Sequence, residues 1–160
     1  PVFYDLYCQT ARRNGFVICQ YRYFAALFSE WLSAPSTSEV LFLLASRGRD
    51  LLAGGIVAIS RKTAHYLFGA SSSQNKNLMG SYALQWEAIR RARAKGCVRY
   101  DMGAVAPVND TDHPFYGLFR FKAGFGGRIV RRHGSWDYPI DHQAYMTFRN
   151  SEILSREMTI

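Results

Sequence analysis

Apolar residues recur every three or four positions at the start of the chain. In VFYDLYCQTARRNGF, Phe3, Leu6, Tyr7 and Thr10 share one face at helical spacing, and Asn14-Gly15 supplies a stop. A second helix is predicted over YFAALFSEWL, with Phe24, Leu27, Phe28 and Trp31 as its stripe. SAPSTS, residues 33–38, reads as a turn or loop, because Pro35 ends any helix before it.

The period then changes. EVLFLLASR is a near-continuous apolar run, DLLAGGIVAISR follows across Arg47-Gly48-Arg49-Asp50, and TAHYLFGASS follows across Arg61-Lys62. Connections this short predict an antiparallel meander of three strands. Gly54-Gly55 inside the second strand marks a bulge or a close approach to the backbone.

Helical spacing returns in NLMGSYALQWEAIRRARAKG. Met79, Tyr82, Ala83, Trp86 and Ile89 are the predicted buried stripe, and Gly96 is the stop. CVRYDMG reads as a short strand, AVAPVNDTDHP as a loop and FYGLFRFKAGF as a short helix. GRIVRRHGSWDYPI holds two short strands, or one strand and an extended tail. DHQAYMTFRNSEILSREM is a last helix or tail. A strand meander followed by a helical crossover and another strand predicts an α+β fold with a mixed, mostly antiparallel sheet flanked by helices. That order is similar to the acyltransferase fold known as GNAT, in which the sheet splays and the acyl donor sits in the opening.

Composition sharpens this picture. The 160 residues are enough for about one domain, and 48% are hydrophobic, which excludes a disordered chain. VLFLLASRGRDLLAGGIVAIS is the longest apolar stretch, but Arg47, Arg49 and Asp50 divide it, so it falls short of the ~20 residues that cross a bilayer. No signal peptide is visible, and the chain opens PVFYDLY without Met, as an excised fragment or processed product does. Cys8, Cys19 and Cys97 are scattered and odd in number, which reads as buried free thiols in a reducing compartment. His65, His113, His133 and His142 have no metal-ligand spacing, so no metal is expected. The net charge of +8, clustered in Arg12-Arg13, RRARAK (90–95) and RIVRR (128–132), favours polyanionic partners; the alternative is an ordinary solvated surface.

Acetyl-CoA enzymes of the GNAT fold carry a glycine-spaced loop at the start of the long helix, where backbone N–H groups hold a pyrophosphate. The corresponding stretch here is SSQNKNLMGSYA, in which Gly80 stands alone. Gln74 and Lys76 are present, and Lys76 with free helix N–H groups retains the capacity to hold a phosphate.

Several segments in order carry a more specific likeness: TARRNGF, YRYF, LLAGGIVAI, AHYLFGASS, ALQWEAIRRARAKGCVRYDMGAV and GLFRFKAGFGGRIVRRHGSWDYPI. Across about residues 4–140 the chain resembles the Fem family, the aminoacyltransferases that build peptidoglycan cross-bridges. Its most specific part pairs YDMGAV with FKAGFGG some twenty residues on. The resemblance implies that residues 1–140 form the second of two GNAT-like domains, with residues 141–160 a tail or helix running back toward a first domain of the same protein. It implies transfer of an amino acid from aminoacyl-tRNA to the stem-peptide amine of a UDP-muropeptide or lipid II. It further implies no cofactor, a cytoplasmic location, and peripheral contact with the inner face of the membrane.

The resemblance also assigns residues. Phe121 packs against the tRNA acceptor end, and Lys122 faces its phosphate or the developing oxyanion; otherwise Lys122 is a surface charge on a short helix. Tyr23 and Tyr66 match positions that contact the muropeptide; otherwise they are core aromatics. An arginine that family members carry one turn before the first of these tyrosines is Cys19 here, with Arg22 or Arg13 as possible substitutes. Asp101 ends a strand at the sheet opening, where it serves as a general base or as a structural carboxylate holding the next loop. Two other readings stay open: a GNAT-fold enzyme using an acyl-thioester, and a module that only grips tRNA or precursor.

Overall fold

The three apolar runs form a meander in chain order, and a fourth short strand completes the sheet beside the third. In the computed structural model these strands are β1 (Ser38–Arg47), β2 (Asp50–Ser60), β3 (Thr63–Ser71) and β4 (Arg99–Asp101). The first three pair antiparallel, and β4 pairs parallel to β3. The structure describes residues 2–33, 38–106, 110–131, 133–134 and 136–157. Residues 34–37 of the expected 33–38 turn and residues 107–109 of the expected loop lie outside that set.

The chain forms two compact units, Pro1–Gly127 and Arg128–Ile160. In the first, helices cover both faces of the sheet. α1 (Val2–Asn14) and α2 (Tyr21–Ser33) bury Phe3, Leu6 and Phe24 against Ile56 and Ala70. The stripe predicted for α1 is the buried one, and Tyr7 joins its margin. α3 (Gly80–Ala94) packs Leu84, Ala88 and Ala92 on the other face, against Leu41, Leu43, Val57 and Ile59. Ile56 and Val57 are fully buried on opposite faces of β2, each contributing on the order of 1.5–3 kcal/mol of transfer free energy.

The glycine pair of β2 is a site of close approach on both faces. A Cβ on Gly54 would lie 2.8 Å from the Phe3 ring, and one on Gly55 would lie 2.8 Å from a Leu84 methyl. Both glycines keep regular register; the irregularities fall instead between Ala45 and Ser46 and between Ile56 and Val57.

Three expectations are corrected. On α3 the predicted buried stripe faces outward: Met79, Tyr82 and Trp86 are exposed, Trp86 at 65%, Ala83 is exposed, and only Ile89 is half-buried. The buried face is Leu84, Gln85, Ala88 and Ala92, because small residues spaced by four let the helix sit close on the sheet. Among the described residues of 127–140 there is no strand. Cys19 is exposed, whereas Cys8 and Cys97 are half-buried; all three are free thiols.

Part of the basic surface is internally paired. Arg90 and Arg91 both bridge Glu87, and Lys95 bridges Glu39 at 2.7 Å. In the second unit α5 (His142–Glu157) starts where Asp141 Oδ1 accepts the Ala144 N–H, and Tyr145 donates its hydroxyl to Asp137. No helix of the described residues is long and apolar enough to cross a membrane.

Candidate functional site

β4 accompanies β3 for only three residues: Thr63 faces Arg99, Ala64 faces Tyr100 and His65 faces Asp101. After Asp101 the chain turns away through Gly103, which has a positive φ of 74°. β3 continues alone on that side to Ser71. The parting coincides with a bulge: Ile56 pairs with Phe68 and Val57 with Tyr66, so Leu67 is the extra residue. A bulge bends its strand and adds twist, which widens the gap. A cavity of about 920 Å³ opens there, between Tyr66–Ser71, the loop at Ala104–Ala106 and α4 (Tyr116–Ala123).

Phe121 and Lys122 enter this cleft from α4. Phe121 meets Tyr82 edge to face at 4.8 Å, and Tyr82 stacks on Phe125 at 5.6 Å. This aromatic layer anchors the short helix, Gly124 caps its end, and Gly126, with φ of 72°, turns the chain away beyond it. Lys122 is half-buried, and its Nζ donates to the carbonyl of Ala104 at 2.6 Å. Burial lowers its pKa below the ordinary lysine value, and the charge of Asp101 works in the opposite direction.

Tyr66 lines the same cleft. Its ring curls along its own strand, so a Cβ on Gly69 would overlap its hydroxyl. Burial raises its pKa to about 12, and neighbouring Gln85 partly offsets the rise. Gln85 is fully buried on α3; its Oε1 accepts the Tyr100 hydroxyl at 2.8 Å, while its Nε2 has no partner in hydrogen-bonding geometry among the described residues. A polar residue on the buried face of an amphipathic helix was the available signal for Gln85, and the aromatic stripe beside it obscured it.

Asp101 is not among the lining residues. Its Oδ1 accepts the Gly103 N–H at 2.8 Å, and its Oδ2 lies 3.9 Å from His65 Nδ1. The carboxylate thus holds the turn that carries the chain off the sheet. Tyr23 lies apart from the cleft on α2, 49% exposed, with its ring edge-on to Phe24. The structure therefore brings Tyr66, Phe121 and Lys122 together, puts Asp101 behind them, and leaves Tyr23 on another surface.

The far end of the cleft is built by α1. Thr10 Oγ1 accepts the Ser71 N–H at 2.9 Å and donates to backbone carbonyls. Arg13 donates to the Ser71 carbonyl, the Ser71 hydroxyl and the Ser73 hydroxyl. Gly80, the lone glycine of the region, seats the start of α3 on β2: a Cβ there would lie 2.5 Å from that of Leu52. Arg13, Lys76 and Lys122 line the cleft, and among its described lining residues there is no Asp or Glu. Such a cleft can hold an elongated anionic ligand along the open edge of β3, with an ammonium at one end.

The FemAB family model matches residues 36–152. The lipid II:glycine glycyltransferase of Staphylococcus saprophyticus is 30% identical over 99 residues, which cover 62% of this chain and 24% of that protein. That of Staphylococcus epidermidis is 30% identical over 94 residues, covering 59% of this chain and 23% of that protein. The chain thus spans about a quarter of the length of the curated relatives it matches. Among solved structures, FemX superposes with a TM-score of 0.74 at 17% identity, covering 91% of this chain and 52% of its own. An aminoglycoside 6'-N-acetyltransferase from Acinetobacter haemolyticus superposes at 0.55 with 15% identity, over 83% of this chain and 91% of its own. These two show the fold, a GNAT-like acyltransferase architecture. The family match covers most of the chain, and the chain belongs to the FemAB family.

Proposed function

We propose that this chain carries the acyl-donor cleft of an aminoacyltransferase that moves an amino acid from aminoacyl-tRNA to the stem-peptide amine of a peptidoglycan precursor. The observation that carries the reading is the placement of Lys122. A half-buried ammonium is held at the parting of β3 and β4, in a cleft with no Asp or Glu among its described lining residues, in a member of a family whose relatives here are named lipid II:glycine glycyltransferases.

In this reaction the acceptor amine bonds to the ester carbonyl carbon, and a tetrahedral intermediate forms with negative charge on oxygen. Lys122 faces that charge. The intermediate collapses with loss of the ribose oxygen, which takes up the proton the amine gives away. The ester is already activated, so orienting two large substrates supplies much of the rate, and a fixed ammonium adds stabilisation of the transition state. Phe121 and Tyr66 form walls against which the donor end and the acceptor pack, and Asp101 acts through the turn it holds.

The chain's alignment to about half of FemX supports its reading as the second of two GNAT-like domains, with the acceptor cleft shared with a preceding domain. Lipid II as acceptor would bring the protein to the inner face of the membrane. The test is transfer of labelled amino acid from aminoacyl-tRNA to lipid II, assayed with this chain alone and joined to a first domain. Alkali-stable label should appear in the lipid only for the joined protein. Full transfer by the 160 residues alone would remove the two-domain reading, and transfer of acetyl from acetyl-CoA in place of the amino acid would remove the donor assignment.

A further inference from the structure

The cleft has two cationic poles. At one, Lys122 Nζ lies beside Gly103, whose neighbour across the gap is the Tyr66 carbonyl. At the other, Arg13 grips Ser71 and Ser73, and Lys76 follows three residues later on the same wall. Tyr66 and Ser71 are five residues apart on one bulged strand, so the poles lie roughly 15 Å apart. Between them the wall is neutral: Leu67, Phe68, Gly69 and Ala70.

Arg13 is held in place before any ligand arrives. Three of its N–H groups are directed at Ser71 and Ser73, and of the five that a guanidinium carries two remain without a protein partner among the described residues. A positioned guanidinium with spare donors is suited to a phosphate oxygen, and little freedom is lost on binding.

We propose that Arg13 and Lys76 form a phosphate subsite that holds the donor strand upstream of its terminal nucleotide while the acyl group lies at Lys122. Stacked nucleotides rise ~3.4 Å each and extended ones more, so the phosphate at this distance lies about two to four nucleotides before the esterified ribose. This placement rests on the aminoacyl-RNA reading above. A pyrophosphate joined to an acyl-thioester by a long arm has the same chemistry, and the subsite would grip it in the same way.

The test measures equilibrium binding to the chain of a short RNA with a single-stranded CCA end, of coenzyme A and of adenosine 5'-monophosphate, across a salt series. Lys76→Gln comes first, because among the described residues no hydrogen bond or ion pair ties that side chain to the fold. Arg13→Gln follows, with a thermal melt to check that α1 stays attached. For the RNA, Lys76→Gln should weaken binding about 5-fold and reduce the slope of log affinity against log salt by about 0.7, the value for one lost contact to a single strand. Affinity for the mononucleotide should stay unchanged. RNA binding that is insensitive to both variants would overturn the subsite and leave the donor reading standing. Coenzyme A binding that weakens in the variants, with no RNA binding at all, would keep the subsite and remove the RNA donor. Loss of mononucleotide affinity equal to that of the RNA, or no binding of any of the three, would overturn the placement.

Discussion

Lys122 on α4 reaches back eighteen residues to the carbonyl of Ala104, 2.6 Å from its Nζ, and so ties the short helix to the loop where β4 leaves the sheet. One hydrogen bond both closes the cleft wall and aims a cation along it. The spacing of YDMGAV and FKAGFGG in the sequence has this contact as its physical content.

Lys122→Ala in the complete enzyme should lower turnover by ~100-fold or more, the scale of one lost preorganised charge donor. Lys122→Arg should restore only part, because a planar fork does not replace a compact ammonium beside Gly103. Because burial lowers the lysine pKa, turnover should decline on the alkaline side at a lower pH than for a solvated lysine. The unfolded chain binds more protons between the folded and the ordinary value, so this group makes stability rise with pH across that window. Single-turnover rates against pH check the first three statements and equilibrium unfolding against pH the fourth, and wild-type turnover in the alanine variant would reduce Lys122 to a surface charge.

Tyr66 should ionise at about 12, well above a free phenol. Its folded pKa is raised, so the stability it lends is complete below pH ~10 and is lost as pH climbs through 12. Ultraviolet phenolate absorbance of the protein and of Tyr66→Phe gives the difference titration. A Tyr66 signal with its midpoint near pH ~10 would mean the ring stands in water rather than along β3.

Gly69→Ala should destabilise the fold by about 1–3 kcal/mol, because the new methyl overlaps the Tyr66 hydroxyl and the ring must move. In a Tyr66→Leu background the same change should cost much less. A double-mutant cycle in denaturant reads the coupling directly. Additive costs would show that the tyrosine does not occupy that space.

Tyr100→Phe should cost about 1–3 kcal/mol, since it strips the partner from a carbonyl oxygen on a fully buried Gln85 whose amide nitrogen already lacks one. Equilibrium unfolding measures it. A neutral outcome would show that another donor reaches the Gln85 oxygen.

Much of the framework was legible in the chain, because it depends on neighbours three or four residues apart or on turns of two. The stripes Phe3-Leu6-Thr10 and Phe24-Leu27-Phe28, the three meander strands and the stops at Gly15 and Gly96 are local patterns of this kind, and the structure keeps them. The family likeness singled out Tyr66, Phe121 and Lys122, and the fold places all three along one cleft.

The tertiary structure decided what periodicity leaves open. Met79, Tyr82 and Trp86 are as apolar as a buried face requires, yet the sheet takes Leu84, Ala88 and Ala92, because the gap over β2 is set by Gly55 and Leu84 rather than by helix composition. The parting of β3 from β4, the bulge at Leu67, and the meeting of Arg13 with Ser71 across 58 residues are equally invisible to local pattern. They arise where strand pairing, glycine clearance and helix packing are satisfied at once, and that balance exists only after the chain has folded.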